Sequence, residues 1–452
     1  MSKKVALLIS LILILALSIS SCNLIVKDPE VDKSTVIIEV AGQQVTKQEV
    51  QEAIEQQMVL ESYYYQRQYG QKLDTKDSKI RETVTNNVLD SIIKSKVIDS
   101  KIEQGGYSAL SAEEEASLKE TVAAEYKKTL EQVKANHFAN TELKDAELEA
   151  AVAAKAQELD YANEEKLYES RAKTKAYEKL KADVVKDISV ADEEVKKEYD
   201  ARVEKAKSSY ASNSSLYNTN VLNNATIYYR PAGYRNVKHI LIKLSDDDQT
   251  ALKTIKNDIA TKTAEIEKIN KSIAELNAEN EEDKAKIAEL EESLKPLKVD
   301  LESLNTTLPQ KEEASYAKLS EKVAEVEAKI TAGEDFDKLM ETYNEDPGMT
   351  RSPAKEEGYP VTAGLNTFDE AFVNAAMALE KIGDVSKAVK GSNGYHFIKY
   401  ISDVTEGAVD FESLKETIKN ELLTTAQNNY FNEQVDAWVK EANAKTYKDR
   451  LK

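Results

Sequence analysis

At 452 residues the chain has room for two or three domains. Aromatic residues make up 7%, charged residues 32%, and the formal charge is −19, from 62 basic and 81 acidic side chains. That balance favours long exposed helices over one large core, and it excludes a general affinity for nucleic acid, because an acidic surface is repelled by the phosphate backbone.

In chain order, the first element is a targeting segment. Lys3 and Lys4 precede the apolar run "VALLISLILILALSI", which ends in "ISSC" at Cys22, the only cysteine. The charged start, apolar middle and small residues before the cysteine resemble the lipobox of a bacterial lipoprotein. The resemblance implies that residues 1–21 are a signal peptide and that Cys22 becomes a lipidated N-terminus. Two acyl chains there anchor stably where one tethers reversibly. The run is also near the lower length limit for spanning a bilayer, so an uncleaved anchor stays open as the alternative. Either way the rest of the chain is expected outside the cytoplasm, where a lone cysteine has no disulfide partner.

A polar tether (22–34) leads into "TVIIEVAGQQVTKQEVQEAI", read as a strand, a turn at Gly42 and a helix. Thr46 and Glu49 have capping-box spacing and mark the helix start. A helical region rich in Ala, Glu, Lys and Leu extends over 35–208. His137 lies in it, in a charged stretch that reads as solvated. The tyrosines of "ESYYYQRQYG" (61–70) admit two readings: a sticky cradle for unfolded chains, or a cover for the region's own core. Residues 209–234, rich in Asn, Ser and Tyr, read as a linker.

Next come apolar residues at steps of three and four. Leu252, Ile255, Ile259, Ile266, Ile269, Ile273 and Leu276 form one series, and the residues from Ile287 to Leu308 repeat it. This spacing with charges between is a coiled-coil signal. Asn280 and Asp283 interrupt it midway, which predicts an antiparallel hairpin over 247–310 with its tip near Asn280. The competing form, one continuous helix in a parallel dimer, strands the next segment roughly 90 Å away at about 1.5 Å per residue. Pro296 is expected to kink the second arm.

With the hairpin set aside, residues 235–404 read as strand, helices, strand, helix, strand, strand. Thr367 and Glu370 have the spacing of a second capping box. The last segment, 405–452, is helical, carries the only tryptophan, Trp438, and is expected to pack on the N-terminal lobe. Two of the three histidines fall in apolar strand-like runs: His239 in "VKHILIKL" and His396 in "NGYHFIKY". A buried imidazole needs a hydrogen-bond partner, and the simplest is the other imidazole across adjacent central strands.

These residues resemble the parvulin peptidyl-prolyl isomerases. The matching motifs are "VKHILIK", "DFDKLMETYNEDPG", "FDEAFVNAAMAL" followed by "IGDVSKAVK", and "GYHFIKY", in the family's order over about 235–404. The lipobox, "VAGQQVTKQEV" and flanking helices are similar to the PrsA-type extracytoplasmic foldases and their SurA-like relatives. The implied architecture is α+β: a mostly helical chaperone-like lobe, plus a parvulin domain with a small mixed sheet that carries the coiled hairpin.

The resemblance makes His239 and His396 the family's paired histidines. It puts Asp346 at an active-site carboxylate position and Phe368 on the wall of the proline pocket, with Phe372 a weaker candidate one turn on. Three departures stand out: Gly364 replaces a usual Met, "EEGYPVTAG" replaces a glycine-rich strand, and the hairpin replaces a loop that carries basic residues in some relatives. Phosphate-directed specificity is therefore not expected. Rotation about an X–Pro bond makes and breaks no bond, so neither metal nor cofactor is implied. The spacing alone allows plainer roles: core contacts for the histidines and phenylalanines, and turn chemistry for Asp346 in "EDPG". The expected function is prolyl isomerisation and folding of secreted polypeptides by a membrane-tethered protein. An inactive holdase, or a scaffold using the hairpin for partner binding or self-association, are the alternatives.

Overall fold

The computed structural model describes residues 29–451. The targeting segment and Cys22 lie outside the described residues. No described helix is long and apolar enough to cross a membrane. The chain forms two compact units: one from Ala191–Lys419, the other from residues up to Val190 together with those from Asn420 on.

The first unit opens with a short helix α1 (Pro29–Lys33) and strands β1 (Val36–Val40) and β2 (Gln43–Thr46). Helices α2 (Lys47–Tyr69), α3 (Ser78–Gly105), α4 (Ala112–His137), α5 (Asp145–Glu158) and α6 (Glu164–Val185) come after them. Thr46 caps α2 in a full capping box: its hydroxyl accepts from the Glu49 N–H, and the Glu49 carboxylate accepts from the Thr46 N–H at 2.7 Å. Thr46→Ala is expected to destabilise this unit by about 1 kcal/mol, lowering its Tm by about 3 °C in a calorimetric scan. Apolar side chains at helical intervals on α2 and α3 (Val50, Ile54, Met58, Val84, Val88) close over Ile37 and Ile38 of β1.

In the second unit, helices α7 (Asp192–Ser212) and α8 (Ser215–Leu222) and the short strand β3 (Tyr229–Arg230) precede β4 (Arg235–Lys243). Helices α9 (Asp246–Ala274) and α10 (Glu281–Ala317) come next, then α11 (Ser320–Thr331), α12 (Phe336–Tyr343) and α13 (Ala354–Glu357). Strand β5 (Tyr359–Val361), helix α14 (Glu370–Ala378) and strands β6 (Val389–Gly391), β7 (Gly394–Asp403) and β8 (Gly407–Ala408) complete it. Helix α15 (Phe411–Ala442) begins here and runs into the first unit, where Phe431 and Val435 are buried with Ala176 and Leu180. The last strand, β9 (Lys445–Thr446), adds to β1.

Four strands form the main sheet in the order β5-β4-β7-β6. Every ladder in it is antiparallel, not mixed as expected. The two-residue turn between β6 and β7 imposes that orientation on one pair, and the helical connection returns β5 beside β4 running the opposite way. Strand alternation places His239 and Leu241 on one face of β4 and Ile240 and Ile242 on the other. The latter two are fully buried in a core with Val326, Phe336 and Leu339 of α11 and α12.

Three expectations are corrected. The segment 209–234 is no open linker: α8 buries Tyr217 and Asn218, and the Asn218 amide donates to the Pro360 carbonyl at 2.8 Å. The division between units falls at Val190, not near 208, because α7 belongs to the second unit; the Tyr199 hydroxyl donates to the Val409 carbonyl and its ring packs edge-on against Phe411. At α14 the cap is Asp369, whose carboxylate accepts from the Ala371 N–H, while the Thr367 hydroxyl donates to Asn218 instead.

Helices α9 and α10 lie antiparallel, joined by Lys256–Glu312 (2.8 Å) and Lys262–Asp300 (2.7 Å). Helix α10 continues through Pro296 and Pro309 to Ala317, past the expected end at 310. Its last turns are held by buried packing of Tyr316 with Leu244 and Leu252. At the base, the buried Asp248 carboxylate accepts from Lys318 (2.8 Å), Lys311 (2.9 Å), Ser245 (2.9 Å) and Ser315 (3.0 Å).

Candidate active site

In the central pair of strands, His239 stands opposite Ile398 and Leu241 opposite His396. The two histidines are thus diagonal neighbours on one face. Their Nδ1 atoms are 3.0 Å apart, with ring centroids 5.2 Å apart and planes 19° from parallel. His239 Nε2 meets Asp346 Oδ2 at 2.8 Å. The turn after α12 supplies Asp346, fixed by Asn344, whose Oδ1 accepts from the N–H groups of both Leu241 and Asp346. The Gly348 N–H donates to Asp346 Oδ1 at 2.9 Å, and the Tyr359 hydroxyl donates to Oδ2 at 2.7 Å. Tyr359 reaches this carboxylate because β5 sets it opposite Val237 on β4.

The carboxylate sets the direction of the hydrogen bonds around it. Burial alone would raise the Asp346 carboxyl, but hydrogen bonds and charge from His239, with those from Tyr359 and Gly348, hold it at about 2. An ionised Asp346 accepts only, so His239 donates through Nε2. Between the rings the direction follows the tautomer: a neutral His239 accepts at Nδ1 from His396 Nδ1–H, and an imidazolium donates there. His396 Nε2 is buried without a partner among the described residues. A side chain on Gly391 would meet that nitrogen at 2.8 Å, so β6 must end in glycine for the ring to fit. Burial, and then the neighbouring His239, lower His396 from 6.5 to about 4, while burial, and then the Asp346 carboxylate, push Tyr359 well above 10.

These shifts make stability depend on pH. An unfolded chain protonates His396 near 6.5, whereas the folded one resists until about 4. Stability is therefore lost as pH falls through this interval. Urea midpoints measured between pH 7 and 4 should decline, and His396→Leu should flatten the decline.

Beside the network lies a cavity of about 220 Å³, lined by Leu241, Tyr359, Phe368 and Phe372 and rimmed by Thr367, Asp369, Ser392 and Asn393. Phe372 is buried and sets its edge against both imidazoles, with centroids at 5.1 and 5.3 Å. Phe368 is half-buried, 5.0 Å from Tyr359 and 5.5 Å from Phe372. It lies in the bend before α14, so the two phenylalanines do not share a helix face as their spacing suggested. Gly364 is in a left-handed turn (φ +74°) with open space at its Cβ position, and it contributes no wall. Tyr359, in the altered "EEGYPV" stretch, walls the cavity instead. Its role was missed; an aromatic in a short strand beside β4 is the signal that could have revealed it. Asp369 was missed too: burial opposes its ionisation, but the Ser392 and Ala371 N–H groups hold it below the usual carboxylate range.

A family model for the rotamase domain (PPIC-type PPIase) matches residues 301–402, a span that holds Asp346, Phe368, Phe372 and His396. The chain contains a parvulin-type prolyl isomerase domain. The match begins inside α10, so β4 with His239, all of α9 and the first half of α10 precede it. Among similar proteins, foldase protein PrsA of Clostridium tetani is 34% identical over 131 residues, 29% of this chain and 37% of that one. Foldase protein PrsA 4 of Bacillus cereus is 38% identical over 113 residues, 25% of this chain and 38% of that one. The chain thus spans little more than a third of the length of these relatives. The crystal structure of PrsA from Bacillus subtilis is 19% identical, covering 91% of this chain and 92% of that one at a TM-score of 0.19.

Proposed function

We propose that the protein is a peptidyl-prolyl cis-trans isomerase and folding factor for secreted polypeptides, acting at the outer face of the cytoplasmic membrane. The observation that carries the reading is the Asp346–His239–His396 chain of hydrogen bonds beside an aromatic cavity large enough for a proline ring. Rotation about X–Pro faces a barrier of about 18–20 kcal/mol. The enzyme has to bind the twisted amide better than the planar one. Phe368, Phe372, Leu241 and Tyr359 grip the ring. The oriented imidazole pair and the carboxylate set the field across the cavity, where low dielectric strengthens their action on a peptide that has lost its resonance. His239, Asp346 and His396 are thus the proposed catalytic set, and Phe368 and Phe372 the proline-binding residues.

The anchor in this proposal is Cys22, lipidated after removal of residues 1–21, on the sequence pattern alone. The helical unit acts as the chaperone part, and α9–α10 as a coiled-coil insertion in the isomerase domain. A second reading, a holdase with little isomerase activity, is favoured by one observation. Tyr64, Tyr65 and Tyr69 line a cavity of about 560 Å³ with Leu73, Ile80 and Val84, and Tyr63, Tyr64 and Tyr69 are more than half exposed, not sealing a core.

The test is cis-trans exchange of an Ala-Pro peptide by NMR with the chain from Cys22 on. A rate above buffer is expected. Exchange no faster than buffer, with suppressed aggregation of an unfolded protein, leaves the holdase reading.

A further inference from the structure

The insertion starts at the rim of the proline cavity. Strand β4 ends at Lys243, and α9 begins at Asp246 behind its Ser245 cap. The face of α9 that carries Asp246, Gln249, Thr250, Lys253, Lys256 and Asn257 borders a second cavity, of about 640 Å³. These positions keep to the helical period, so they form one polar stripe. Over three turns it is about 16 Å long, the reach of about five residues of extended chain. Ser392 and Asn393, the turn between β6 and β7, line this cavity and the proline cavity alike. The two cavities therefore meet over one turn of backbone.

That turn and the stripe are held in a fixed relation. Tyr316, near the end of α10, donates to the Gly391 carbonyl and packs perpendicular to Tyr395 at 5.4 Å. Lys390 lies 4.2 Å over the same Tyr316 ring. The Asp248 cluster fastens the base of both helices. Charges on the stripe are unevenly paired: Asp246 pairs with Lys243 and Lys256 with Glu312. Lys253 is exposed and has no ion pair among the described residues.

We infer that the polypeptide flanking a target proline leaves the aromatic cavity over the Ser392–Asn393 turn and lies along the first three turns of α9, where Lys253 selects for an acidic residue. The inserted helices then form a wall of the substrate site. This rests on the isomerase reading of the first cavity. Recognition by one open cation is modest and salt-sensitive, and it acts on discrimination more than on tightness.

The experiment uses the chain from Cys22 on and fluorescent Ala-Pro peptides with paired glutamates or paired lysines roughly three to five positions from the proline, on either side in turn. Exchange rates are read by NMR and Kd by anisotropy. Wild type is expected to favour the glutamate peptide about threefold in both, on one side of the proline, with the preference fading in about 0.5 M salt. Lys253→Glu should invert it. Asn257→Glu, exposed on the same stripe, should weaken it. Equal treatment of both peptides, or a preference untouched by Lys253→Glu, overturns the inference while leaving isomerisation intact. Selective binding without accelerated exchange supports the groove and removes the isomerase reading.

Discussion

Asp346→Ala is expected to slow cis-trans exchange at least about tenfold and to lower stability by about 3 kcal/mol. The carboxylate accepts from His239 Nε2, the Tyr359 hydroxyl and the Gly348 N–H. Alanine strands three donors in a largely buried site, and an unsatisfied buried donor costs about 1–3 kcal/mol. Water entering from the adjoining cavity recovers part of that loss. The variant also releases His239 from its Nε2–H tautomer, and with it the ordered dipole of the imidazole pair. Asp346→Asn keeps the shape and one acceptor, so it should fall between the two in both readouts. Urea denaturation and NMR exchange give the two quantities separately. A folded Asp346→Ala protein with wild-type exchange would show that the carboxylate only shapes its turn.

The two phenylalanines should separate stability from binding. Phe372 is 2% exposed and touches both imidazoles, so Phe372→Ala opens a void in the domain core and is expected to cost about 3–4 kcal/mol. Phe368 is half-buried at the mouth. Phe368→Ala should cost less than about 1 kcal/mol in stability, yet reduce kcat/KM about tenfold by removing one wall of the ring socket. Equal losses of stability in both variants would mean that Phe368 is an ordinary core residue.

Contact between the imidazoles is legible in the sequence because it rests on strong local signals: an apolar strand pattern around each and few other partners for a buried ring. Thr46 is legible for the same reason, since its capping box is written within four residues. Thr367 shows the limit, because Asp369 offers an equally good cap two positions later and the hydroxyl finds Asn218 instead. That contact belongs to the segment 209–234, whose Asn and Ser content reads as linker. Its helix α8 is short and owes its form to burial of Tyr217 and Asn218, which no local pattern announces. Tyr359 and Asp369 escaped notice likewise: each is placed by partners on other elements, not by spacing of its own.

The α9–α10 pair also bears on how the second unit assembles. His239 and His396 are 157 positions apart along the chain, and strands so separated lose entropy when they pair. Yet α9 and α10 fold back on themselves, and Leu244, Leu252, Tyr316 and Leu319 bring the two stems together. Once that clasp closes, the effective separation falls to about half, easing the pairing of β4 with β7 by about 0.6 kcal/mol. A locally ordered helix pair is thus a staging point that shortens the conformational search between the strands bearing His239 and His396.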